Sequence, residues 1–95
     1  MNVGKIVLYC LSEEDAEAIN RRRIDTVRPI DNWPRGAQAH IGNRVMAGDV
    51  YPAIIVRDWG DLCNLQVFLD GNDSYWAMSK SEEDKPGGWI LREMY

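Results

Sequence analysis

Between Tyr51 and Ser79 the chain alternates extended runs with tight-turn residues, and that pattern constrains its fold more than any other feature. Tyr51 to Trp59 is rich in β-branched residues and reads as a strand. Pro52 stands near its start, where a missing N–H donor is tolerated. Gly60-Asp61 turns the chain. Leu62 to Asp70 reads as the next strand, with Leu65, Val67 and Leu69 on one face and Gln66 and Phe68 on the other. Asp70-Gly71-Asn72-Asp73 predicts a hairpin turn, because glycine and asparagine tolerate the positive φ that tight turns demand. Ser74 to Ser79 completes a three-stranded meander.

The flanks add a helix and two more strands. Residues 3–10 are β-branched and aromatic and read as a strand. Ser12 then precedes Glu13, Glu14 and Asp15. A serine cap followed by acids satisfies orphan N–H groups and opposes the positive end of a helix dipole. A helix over about 13–23 follows, with Arg21, Arg22 and Arg23 in its last turn. Its apolar stripe is thin, essentially Leu11, Ala16 and Ile19, so it belongs on the surface against a sheet. The triple arginine reads as a dipole complement, with a phosphate site as the alternative. Residues 25–49 carry Pro29, Pro34, Gly36, Gly42 and Gly48 and keep no regular period, so an ordered wrapping segment is expected, with a short strand near 37–41. Lys80 to Gly88 is a polar loop, and Trp89 to Arg92 a final strand.

The expected architecture is mainly β (α+β): about five strands in a small antiparallel SH3-like barrel or curled sheet, with one short helix after the first strand. The run from Gly48 to Arg57, a turn feeding a strand that feeds a meander, resembles SH3-like barrels. A chain of 95 residues makes one domain, 1–95. Apolar residues at 45% and charged residues at 27% describe a globular chain rather than a disordered one. The strand Ala53 to Val56 is apolar on both faces. The helix or another subunit must cover the second face, so a homo-oligomer, most simply a two-fold dimer, is expected.

The net charge is −4. Residues 21–57 hold seven arginines against three aspartates, whereas residues 58–95 hold three bases against eight acids. The acidic total disfavours nonspecific nucleic-acid binding, and the basic middle leaves a small anionic ligand open. No basic segment leads into an apolar run at the start, and no run reaches the roughly 18–20 residues of a membrane span, so a cytosolic, reduced protein without a membrane segment is expected. Cys10 and Cys63 then read as buried free thiols.

Catalytic signatures do not emerge. His40 is the sole histidine and has no fixed partner in the sequence. No nucleophile elbow, paired-histidine zinc motif or phosphate-binding glycine loop is present. The two cysteines are too far apart to form a short-spaced metal pair. Asp70, Asn72 and Asp73 have the flavour of a calcium loop, but Gly71 comes too early and Ser81 stands where the bidentate glutamate belongs. A non-enzymatic protein without cofactor or metal is expected. Four tryptophans point to binding instead. The candidate surface is a cleft formed where segment 32–49 lies on the sheet, with Trp33, His40, Arg44, Tyr51, Arg57 and Trp76 as its ligand- or partner-binding residues. Basic groups beside aromatic planes suit an anionic planar ligand or an acidic protein patch. The alternative is that Trp33 plugs the open end of the barrel and the arginines are solvated.

Three stretches also carry a resemblance: Asn32 to Asn43, Val45 to Arg57, and Leu65 to Trp76 followed by Lys85 to Trp89. Together they look like a set of small uncharacterised proteins encoded by tailed bacteriophages and prophages, and Gln66 to Asp73 is the most specific part. The family pattern ends in His-Trp-Pro, where this chain has Trp89-Ile90-Leu91. The resemblance implies a phage accessory protein. The leading expectation is counter-defence in the host cytoplasm, by binding a host defence protein or sequestering a small anionic nucleotide. The alternative is a virion component, such as a head decoration or tail-associated protein; a small enzyme using His40 comes third.

Overall fold

A computed structural model describes residues 2–26 and 41–92. Along the chain run β1 (Ile6–Cys10), α1 (Glu13–Thr26), β2 (Val50–Asp58), β3 (Cys63–Phe68), β4 (Ser74–Lys80) and β5 (Trp89–Leu91). The strands form one antiparallel sheet in the order β4-β3-β2-β1-β5. The meander predicted from Tyr51 to Ser79 is β2-β3-β4, and the single helix follows the first strand as expected.

Of the two architectures considered, the SH3-like barrel is corrected and the five-stranded sheet holds. Closure would need β4 and β5 to pair along their length. They are the two opposite edges of the sheet and share no ladder among the described residues: an isolated parallel bridge between Glu82 and Trp89, and the bond from the Trp89 indole N–H to the Lys80 carbonyl at 3.1 Å, join them only where the chain leaves β4. The polar loop after β4 explains this. It carries the chain back so that β5 pairs with β1, in the register Val7↔Leu91 and Tyr9↔Trp89.

Two boundaries also differ from expectation. β1 starts at Ile6, because Gly4 takes a positive φ of 91° and Lys5 N–H bonds back to the Asn2 carbonyl, making residues 2–5 a turn. α1 runs on to Thr26, so residues 25 and 26 are helical. Arg22 and Arg23 hold these last turns in place through tertiary bonds described below, which local propensity does not register. Most of the short strand expected near 37–41 lies outside the described residues.

One hydrophobic layer holds the fold. Val7 and Tyr9 of β1, Ala53 and Ile55 of β2, Leu65 and Val67 of β3, Ala77 of β4 and Trp89 of β5 all point to the same side of the sheet and are buried. Leu11, Ala16 and Ile19 close over them from the helix, with Val45 beside them. The thin helical stripe therefore suffices to cover one side. β3 alternates as its sequence predicts. Cys63 is buried and Cys10 half-buried, and both are free thiols.

Two irregularities sit at one end of the sheet. In β2, Val56 is an extra residue between the pairs Ile55↔Leu65 and Arg57↔Asn64. In β4 the pairing jumps from Leu65↔Ala77 to Cys63↔Lys80, and Ser79 adopts φ 57°. Asn64 accounts for that strained residue: its side-chain oxygen accepts the Ser79 N–H at 2.8 Å. Asn64 is buried, so this bond also satisfies a polar group that would otherwise be stranded.

Candidate functional site

Two polar clusters and one apolar face stand out once the fold is laid down. The first cluster centres on Asp15. Ser12 Oγ accepts the Asp15 N–H at 3.1 Å and Asp15 Oδ2 accepts the Ser12 N–H at 2.9 Å, a reciprocal capping box. The same carboxylate accepts hydrogen bonds from the Tyr9 and Tyr75 hydroxyls, the latter at 2.9 Å. Asp15 is therefore buried and does more than oppose the helix dipole, the role expected of the first-turn acids. Burial alone would raise its pKa; the bonds from Tyr9, Ser12 and Tyr75 outweigh burial and hold it below the ordinary carboxylate range. Burial, then the bond to Asp15, pushes Tyr75 up to about 12, and the same causes raise Tyr9 further.

That arrangement has a measurable consequence. Stability contributed by these phenols is fully present below their unfolded value near pH ~10 and is lost as pH rises through the folded value. Tyr75→Phe is expected to remove one phenol that ionises near pH about 12 from an ultraviolet difference titration. If the titration of the variant merely loses a phenol of ordinary pKa, Tyr75 is not bonded to the Asp15 carboxylate.

The second cluster joins three parts of the chain. The Arg23 guanidinium donates to the Asn43 carbonyl and, at 3.0 Å, to Asp73, while Arg22 reaches the other Asp73 oxygen at 2.7 Å. Asn72 bonds the Ile41 backbone on both sides, and Asp70 accepts from both the backbone and side chain of Asn43. The Asp70–Asp73 turn is thus a latch. It clamps the returning segment 41–43 and the end of α1 against the β3–β4 hairpin. Arg22 and Arg23 are structural cations here, which answers the phosphate alternative for those two. Arg21 is exposed.

The predicted cleft residues do not share one surface. Trp33 and His40 lie outside the described residues. Arg44 is exposed on the helix side, beside a groove of about 480 Å³ that Glu13, Glu17 and Arg21 also line. Tyr51 is half-buried and packs against the core, with its hydroxyl 3.5 Å from Asp49. Arg57 and Trp76 lie on the opposite side of the sheet, Arg57 with its guanidinium 5.4 Å above the Trp59 ring. The structure therefore brings Arg57 and Trp76 to one face and places Arg44 and Tyr51 on the other.

That second face of the sheet gathers most of the exposed large apolar side chains among the described strand residues. The cross-strand row Ile6↔Ile54↔Gln66↔Trp76 runs across four strands, and Leu8↔Ile90 and Leu8↔Pro52 form the next. Phe68 is 47% exposed, Met78 53% and Trp76 54%, with Ile6 and Val56 also exposed. Gln66 is the polar exception at the centre; Ser74 Oγ lies 3.3 Å from its side-chain oxygen. These side chains expose on the order of 500 Å² of apolar surface, in the range of the largest patch on a typical monomer, about 300–600 Å² and often functional. Sequence reasoning saw the two-sided apolar pattern only at Ala53 to Val56. Phe68, Trp76 and Met78 carried the same signal, each alternating with a core residue on a neighbouring position.

Among the described residues, no group of three or more His, Cys, Asp or Glu side chains could hold a metal ion, and no helix is long and apolar enough to cross a membrane. The two cysteine thiols are pushed up, first by burial and then by nearby carboxylates, which disfavours a reactive thiolate. No protein-family model, curated protein or solved structure matches this chain.

Proposed function

We propose that this protein acts by binding rather than by catalysis, and that the open face of its sheet is the surface through which it contacts another protein chain. The apolar rows of that face carry the reading. A sheet face left to water normally alternates to polar residues, yet here Ile6, Val56, Phe68, Trp76 and Met78 stand exposed together. Each large side chain withdrawn from water on docking contributes about 1.5–3 kcal/mol, and aromatic anchors such as Trp76 dominate such contacts. A nucleotide ligand fits less well. It would need Arg44 and Arg57 to converge on its phosphates, and they stand on opposite sides of the sheet.

In biological terms the reading is of a phage accessory protein that works against host defence by binding a host defence protein in the host cytoplasm. The resemblance in sequence to phage and prophage proteins motivates this. The paired variant Phe68→Asp/Trp76→Asp tests it. Expressed in bacteria whose defences restrict an infecting phage, the unaltered chain is expected to raise plating efficiency at least tenfold, and the variant to abolish that gain while keeping the circular dichroism spectrum of the unaltered chain. Full activity in the folded variant would remove the face from the function. Recovery of the protein in purified virions, with no effect on plating, would favour the virion role instead.

A further inference from the structure

We infer that a second copy of this chain covers the open face, the two sheets stacked face to face about a two-fold axis with their strands antiparallel. The inference rests on the reading of that face as a protein interface and names a second copy as the chain that occupies it, so that any host protein is met by the dimer and not by this face. Three observations carry it: size, composition and the placement of charge.

Size comes first. Five strands about 4.8 Å apart make the face about 20 Å wide, and strands of up to nine residues at about 3.3 Å each make it about 20–30 Å long. A ridged face of those dimensions approaches the roughly 800 Å² that each partner contributes to a standard stable interface. It is also the right kind of surface. Sheets pack face to face about 10 Å apart through interdigitating apolar side chains, as this face presents them. The one polar group near the middle, the Gln66 amide, has both a donor and an acceptor and can pair with its own copy across a two-fold axis.

Charge selects the orientation. β1 starts and β2 ends at one end of the sheet, and there stand Lys5 and Arg57. Asp58 is at that end too, already bonded to Asn2 and Gly60. At the other end Glu83 and Asp84 flank a small pocket with Leu8, Val50 and Ile90. Lys85 is there as well, 3.2 Å from Glu83. Antiparallel stacking sets the basic end of each copy over the acidic end of the other, twice by symmetry. Parallel stacking would set like over like.

The test uses the full chain. Light scattering and sedimentation at micromolar concentration are expected to give twice the mass of 10.9 kDa. Phe68→Asp/Trp76→Asp is expected to raise the dissociation constant at least a hundredfold without loss of the circular dichroism spectrum. Two charge variants then read the orientation: Lys5→Glu/Arg57→Glu and Glu83→Lys/Asp84→Lys. Each alone is expected to weaken self-association tenfold or more, and a mixture of the two to form a heterodimer of restored affinity. Charge variants that self-associate as well as the original chain would overturn the antiparallel arrangement. A monomer at all concentrations overturns the inference outright. If the apolar variant then still loses its effect on plating, the face is an interface for a different protein; if it keeps that effect, the interface reading falls as well.

Discussion

Asp15→Ala is expected to be the most damaging single substitution on the helix side of the sheet. It removes the acceptor for two tyrosine hydroxyls and for the Ser12 N–H, all in a buried setting. A stranded buried donor costs about 1–3 kcal/mol, and a lost helix cap about 1 kcal/mol. The sum, with partial relaxation of Tyr75 toward solvent, is about 3–5 kcal/mol. Against a typical total of about 5–15 kcal/mol, that lowers the melting temperature by on the order of 15 °C or more. Asp15→Asn keeps the shape and one acceptor and is expected to lose roughly half as much. Acid should mimic the substitution. The Asp15 carboxyl is held below its usual range, so its contribution is fully present above the unfolded value near pH ~4 and is lost as pH falls through the depressed folded value. Thermal melts of the original chain and Asp15→Ala across acidic pH check both statements: the difference between them should shrink as pH falls. A constant difference would mean that the carboxylate charge has no part in the bond network.

Gly71→Ala is the second large effect. A Cβ at Gly71 would sit 2.5 Å from the Ile41 carbonyl oxygen and 2.7 Å from the Gly42 Cα, and 3.0 Å from the Arg23 guanidinium. Two of those neighbours are backbone and cannot swing away. The crossing of segment 41–43 over the hairpin turn must open, and with it go the Asn43 bonds to Asp70 and the Arg23 contact. Overpacking of this kind costs about 1–3 kcal/mol, and lost charge-assisted bonds add to it. The expected loss is about 2–4 kcal/mol by denaturant unfolding, accompanied by faster amide exchange at Ile41, Asn43 and Asn72. Gly42→Ala should behave alike, since its Cβ would meet the Asp70 carbonyl and the Gly71 Cα at 2.7 Å. Gly48→Ala, where open space surrounds the added carbon, provides the contrast: only its positive φ of 91° opposes the change, and about 1 kcal/mol is expected. Equal losses at Gly48 and Gly71 would show that the close approach is not what the glycine serves.

The two networks probed by these substitutions account for what was hard to read in advance. Ser12 followed by the acids Glu13, Glu14 and Asp15 announced a helix start. Nothing local announced that Tyr9 and Tyr75, one before the helix and one 60 residues beyond Asp15, would converge on the same carboxylate. The triple arginine was legible as positive charge in a last turn. Its partner Asp73, some 50 residues away, was legible only as a turn residue. In each case the position of the turn or cap was visible because it depends on neighbours in sequence, although neither Gly71 nor Asn72 takes the positive φ expected of it, whereas the second use of the same residue depended on neighbours in space.

The candidate site divides the same way. Trp76 and Arg57 were singled out as aromatic and cationic, and they do share a face. Arg44 and Tyr51 were grouped with them by need for an anchored cleft, a reason that took no account of which side of the sheet each occupies. For Tyr51 the parity was available: it lies an even number of residues from Ala53 and Ile55, on the core side. The bulge at Val56 then shifts Arg57 to the opposite face, a reversal that no count of positions anticipates.

The sequence by itself determined the elements: the three-stranded meander with its two turns, the capped helix after the first strand, the alternation of β3, and a stretch, Ala53 to Val56, that is apolar on both faces. These follow from short-range rules, because φ/ψ preferences, side-chain periodicity and end-capping act within a few residues. Tertiary structure alone decided that the sheet stays open, that β5 joins β1 rather than β4, that a charged Asp15 is buried under two tyrosines, and that the uncovered apolar residues gather on one face. Each of those outcomes depends on which distant segments pay their loop-closure entropy by packing together, and that balance is struck between parts of the chain that no local pattern connects.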